Sequence, residues 1–130
     1  MIIGITNLGD ISGAETVQIY VQDVKSRLPR PEKELVAFEK VALEEGETKH
    51  ISIHLDKYAV GYYDTAIQRW IAEEGTFRVL VGASAADIKY VVSRTRSTAS
   101  ETPIVEIFLL TCYSRHTVFF EVKESFTWIF

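Results

Sequence analysis

The hydrophobic period limits this chain more than any other feature. In E-T-V-Q-I-Y-V-Q, Val17, Ile19 and Val21 alternate with Gln18 and Gln22. In K-H-I-S-I-H-L-D, Ile51, Ile53 and Leu55 alternate with Ser52 and His54, and in T-F-R-V-L-V-G the residues Phe77, Val79 and Val81 share one parity. Successive side chains of a strand point to opposite faces, so a period of two marks strands with one buried face. Ile3, Ile5 and Asn7 read as the end of a further strand. Asn7-Leu8-Gly9-Asp10, Glu45-Gly46-Glu47, Glu74-Gly75 and Gly82-Ala83-Ser84 punctuate the runs as turns. Short strands with turn signals every 8–12 residues or so predict an antiparallel sandwich or barrel.

The segment from Tyr58 to Trp70 fits either a strand or a short helical turn, and Trp70 beside Tyr62 and Tyr63 reads as core material. After Val92 the character changes. Residues 93–103 are polar and aperiodic, which reads as a linker. Residues 104–130 are dense in aromatics, among them Phe108, Tyr113, Phe119, Phe120, Phe126, Trp128 and Phe130. They either add strands to the sandwich or are unrelated sequence attached to a finished domain. The expected organisation is a domain over 1–92, a linker over 93–103 and a tail over 104–130.

A chain of 130 residues fits one domain. Its net charge of −4 argues against nucleic-acid binding, which needs a basic footprint, and weighs against anionic membranes. Cys112 stands alone, so no internal disulfide can form. The start, M-I-I-G-I-T-N, has no basic region and too short an apolar run for a signal peptide. No window reaches the ~20 apolar residues of a membrane-spanning helix.

Nothing in the residues nominates a catalytic, cofactor-binding or metal-binding group. His50 and His54 share a strand face but lie about 13 Å apart at ~3.3 Å per residue, so they read as surface histidines. Cys112 and His116 lack a second pair of ligands. Gly9 and Gly13 lack the Lys-Ser/Thr ending of a phosphate loop, and no G-x-S-x-G elbow is present. Carboxylates are plentiful, and no context singles out an acid/base pair.

One stretch stands apart: S-R-L-P-R-P-E-K-E-L, residues 26–35. Pro29 and Pro31 fix their own φ and hold the preceding residues extended, so Arg30 sits on a nearly preset backbone. Leu35, Ala37 or Phe38, and Val41 then re-enter the core. Two readings stand here. The stretch is a rigid crossover with Arg30 in water, or an ordered hook that docks on a partner domain.

In order, the chain shows N-x-G-x-x-x-G-A-E-x-V-Q-x-Y-V, P-R-P-x-K-E-L-x-x-F-x-K-V-x-L, G-E-x-x-x-I-x-I-x-L and W-x-x-x-x-G-x-F-x-V-L-V-G-A-S-x-x-D-I. This series, over about residues 3–92, resembles the fibronectin type III-like domain of glycoside hydrolase family 3 enzymes, especially fungal β-glucosidases. The resemblance implies an all-β, immunoglobulin/fibronectin type III-like antiparallel β-sandwich. The family domain opens with one more strand than this chain supplies, so one sheet edge is expected bare unless the tail fills it. Glu45 and Glu74 stand where the family often has Pro before its turn glycines.

The family's nucleophilic Asp and acid/base Glu lie in other domains, so no catalytic residue carries over. The resemblance implies an accessory, stabilising domain fragment of an extracellular β-glucosidase, inactive alone, whose partners are that enzyme's catalytic domains. Tyr20, Pro29, Arg30, Pro31, Lys33 and Glu34 are the candidate interdomain contacts. The alternatives are an independent module that binds carbohydrate or protein, and an adhesin-like structural domain, which P-R-P-x-K-E-L disfavours. Exposed Tyr20, Tyr62, Tyr63 and Trp70 in one plane would favour a carbohydrate-binding module.

Overall fold

The structure is a computed structural model that describes residues 1–55, 57–96 and 118–123. Nine strands appear among them: β1 (Ile2–Asn7), β2 (Gly13–Asp23), β3 (Glu34–Leu43), β4 (Thr48–Ser52), β5 (Tyr62–Asp64), β6 (Arg69–Ile71), β7 (Gly75–Gly82), β8 (Ile88–Arg96) and β9 (Val118–Lys123). A single 3-10 turn, Lys57–Val60, precedes β5. The strands form one sheet in the order β4-β1-β9, a second in the order β3-β2-β7-β8, and a separate β5-β6 hairpin. Every pairing is antiparallel.

The period-two residues fill the space between the two larger sheets. Ile3 and Ile5 from β1 meet Val17 and Ile19 from β2 and Val79 and Val81 from β7, each no more than 1% exposed. Ile51, Ile53 and Leu55 close the same core from the β4 side. Burying such aliphatic side chains is worth about 1.5–3 kcal/mol each, which makes the inward alternation the main drive toward a sandwich. His50 and His54 are exposed, as alternation requires.

Strand β3 departs from the expected parity. Its register against β2 shifts between Ile19 and Tyr20, so that Ile19 faces Ala37 while Tyr20 faces Leu35. The bulge contains Val36 and reverses the alternation upstream of it. Val36 and Ala37 pack on the core, whereas Leu35 and Phe38 are exposed. The expectation that Leu35 re-enters the core is therefore corrected: one inserted residue moves it to the other face.

Asn7 ties one end of the sandwich together. It is buried, and its Nδ2 donates to the Ile11 carbonyl at 2.8 Å while its Oδ1 accepts from the Gly9 N–H at 2.9 Å. Its backbone N–H donates to the Glu47 carbonyl, and its own carbonyl accepts from Gly46 N–H. The β1–β2 turn and the β3–β4 turn are thus held by one residue. Gly46 makes this possible with φ of +68°, which glycine adopts without Cβ strain. At the β7–β8 turn, a Cβ on Gly82 would lie 2.3 Å from the Asp87 carbonyl oxygen, so only glycine fits.

Strand β8 runs to Arg96, through residues 93–96 that read as linker in the sequence. The outer edge of β1, expected bare, carries β9 from the tail, with Ile3 opposite Val122 and Ile5 opposite Phe120. Phe108, Cys112, Tyr113, His116, Phe126, Trp128 and Phe130 lie outside the described residues. Asn7→Ala removes a buried, hydrogen-bonded amide and strands the groups it served. We expect a loss of about 1–3 kcal/mol of stability, read as a lower urea midpoint with unchanged slope.

Candidate functional site

The P-R-P stretch leaves β2 and enters β3, and its centre turns inward. Pro29 and Pro31 are exposed, but the Arg30 side chain is only 9% exposed. Its Nε and Nη2 each donate to a different carboxylate oxygen of Glu34 at 3.0 Å, forming a two-pronged fork. Nη1 lies 3.6 Å from Oδ2 of Asp23 at the end of β2. Nη1 and Nη2 also point to the carbonyls of Val60 and Gly61, at 3.4 and 3.3 Å. The guanidinium carbon lies 5.9 Å from the ring centre of Tyr62, within cation–π range.

The hydrogen bonds to Glu34 outweigh the burial penalty, and with the nearby carboxylates they raise the Arg30 pKa above its ordinary value. The cation therefore persists at any pH the fold survives. Asp23 Oδ2 is buried and makes no hydrogen bond, so the charge of Arg30 is what compensates it. A second set of contacts adjoins this one. The Tyr62 hydroxyl donates to Glu73 Oε1 at 2.7 Å, and the Arg27 N–H donates to Glu73 Oε2 at 3.2 Å.

The other candidates lie apart from this cluster. Tyr20 is buried, and its hydroxyl donates to Gln18. Lys33 Nζ reaches the Ala85 carbonyl in the β7–β8 turn at 2.6 Å. Of the six candidate contacts, only Arg30 and Glu34 bond to each other through their side chains. The spacing of four between them was a usable signal; nothing local marked Asp23, Tyr62 or Glu73.

Trp70 does not fill the core. It is 55% exposed on the β5-β6 hairpin, with Tyr58 and Tyr63 against it at ring separations of 5.5 and 6.0 Å. The hairpin has only three residues per strand, too few to give it a buried face of its own. The rings meet near perpendicular, at 74° and 71°. With Tyr20 buried as well, the four aromatics named from sequence do not share a plane. Among the described residues no three acidic, histidine or cysteine side chains gather as a metal site. No helix there is long and apolar enough to cross a membrane.

Two outcomes follow from the cluster. Arg30→Ala leaves the buried Asp23 unpaired and releases Val60 and Gly61; we expect a loss of about 3 kcal/mol or more by denaturant titration. Arg30→Lys should recover little of it, because an ammonium cannot span both oxygens of Glu34. The second outcome concerns pH. The hydrogen bond to Glu73, then burial and the negative charge of Glu73, raise the Tyr62 pKa above its ordinary value. A raised pKa gives stability that is present below the unfolded value, roughly 10, and is lost as pH rises through the folded one. Tyr62→Phe should remove this part of the alkaline destabilisation, seen by comparing thermal midpoints from pH 8 upward.

The fibronectin type III-like domain family matches residues 15–85. The chain is 51% identical over 84 residues to the thermostable β-glucosidase B of Acetivibrio thermocellus, covering 65% of this chain and 11% of that protein. Its fold matches the family 3 β-glucosidase of Bifidobacterium adolescentis with a TM-score of 0.68 at 41% identity, covering 69% of this chain and 13% of that one. The β-D-glucoside glucohydrolase of Trichoderma reesei matches with the same TM-score at 32% identity, over 72% and 13% of the two chains. The chain thus spans about a tenth of the length of these relatives. Its sandwich, its turn residues and this match together establish that it belongs to the fibronectin type III-like domain family.

Proposed function

We propose that the chain is a non-catalytic accessory domain of a family 3 β-glucosidase, extracellular in setting, which supports O-glycosyl hydrolysis performed by catalytic domains it packs against. The observation that carries this reading is the extent of the similarity. It covers most of this chain but only 11% and 13% of the two enzymes compared with it. A segment that small is one component of a larger catalyst.

The interior of the domain agrees. Its buried cation is spent on Asp23, Glu34 and two carbonyls that hold loops in place. The proposed domain is the sequence-delimited stretch to about residue 92, continued by β8 to Arg96 and flanked at β1 by β9.

The test uses a chromogenic β-glucoside. The purified chain should give no turnover above buffer. Grafted into the Acetivibrio thermocellus enzyme in place of the matching segment, it should restore the heat resistance that deleting that segment removes. Turnover by the chain alone, with contaminating enzyme excluded, would overturn the reading. So would a graft that inactivates as fast as the deletion.

A further inference from the structure

We infer that the β5-β6 hairpin is the docking anchor of this domain, with Trp70 as its central contact and the catalytic part of the enzyme as its occupant. The inference rests on the accessory-domain reading and adds the place of contact to it. Tyr58, Tyr63, Ile67 and Trp70 are 49%, 47%, 47% and 55% exposed, and all lie on the 3-10 turn or the hairpin that follows it. Tryptophan and tyrosine are the residues most enriched at interface hot spots, and contiguous exposed apolar surface marks an interaction site.

The hairpin is also fixed before any partner arrives. Arg30 holds the carbonyls of Val60 and Gly61 at its entry, and Tyr62 is bonded to Glu73 beyond its exit. Asp64 Oδ1 accepts from the Ala66 N–H at 2.8 Å, and Gln68 closes the turn with φ of +51°. A presented surface that loses little freedom on docking keeps more of its contact energy. Arg30 also ties the entry of the hairpin to the stretch that carries exposed Pro29 and Pro31.

Two observations select the occupant. About nine-tenths of each related chain lies outside the matched segment, so a large protein surface is available to cover the patch. The rings meet at 74° and 71°, which gives no shared plane on which a sugar ring could stack. A protein pocket that receives the Trp70 edge between flanking tyrosines fits that geometry better.

The test puts Trp70→Ala, and separately Phe38→Ala, into the grafted enzyme and into the full free chain. Phe38 is exposed on β3, away from the hairpin, and serves as the control. Trp70→Ala should speed heat inactivation of the grafted enzyme about tenfold or more, as removal of a hot-spot residue does. Phe38→Ala should not, and the free chain should melt as before in both cases. If the native graft protects and Trp70→Ala protects equally, the anchor is wrong and the accessory reading stands. If the native graft gives no protection, both fall. Retardation of the free chain in a laminarin gel that Trp70→Ala abolishes would also overturn the inference, in favour of a sugar site.

Discussion

A guanidinium removed from water must find its counter-charges inside the protein, and that requirement organises one end of this domain. Arg30 has two carboxylates and two carbonyls around it, contributed by the end of β2, the start of β3 and the residues before β5. None of these segments is adjacent in a sheet to all the others. Charge pairing does there what a ladder of backbone bonds does elsewhere. A buried pair of this kind adds little net stability over an apolar replacement of the same shape, but loss of one member is costly. Its value lies in specifying one arrangement of the loops.

The opposite end solves a similar problem without charge. Asn7 is a neutral side chain that satisfies backbone groups in the turn after it and lies next to the turn between β3 and β4. Between the two ends lies a core of Ile and Val drawn from both sheets. The hydrophobic alternation brings the sheets together, while Arg30 and Asn7 determine how the connections cross. This division explains the predicted mutant effects. An aliphatic truncation weakens the whole sandwich, whereas changes at Arg30 or Asn7 act first on the loops at one end.

The sheets were legible because period-two burial is local information: Val17, Ile19, Val79 and Val81 each sit where their spacing places them. The turn glycines were legible for the same reason. The bulge at Val36 was not, because an inserted residue leaves the composition of β3 unchanged and shows only against its partner strand. Trp70 was misplaced because its neighbours in sequence, Tyr62 and Tyr63, resemble core, while its exposure depends on the hairpin standing apart from both larger sheets. The Arg30 fork to Glu34 was within reach at a spacing of four. Its other partners were not, since Val60 and Gly61 lie 30 and 31 residues away.

These contacts also bear on what the domain can do. Here the carboxylates of Asp23, Glu34 and Glu73 face a permanent cation or a phenol, and each serves to hold a loop. These contacts hold in place the loop that carries Tyr63 and Trp70 outward. Buried charge at the base and exposed aromatic surface at the tip suit a domain that acts by contact with a larger neighbour.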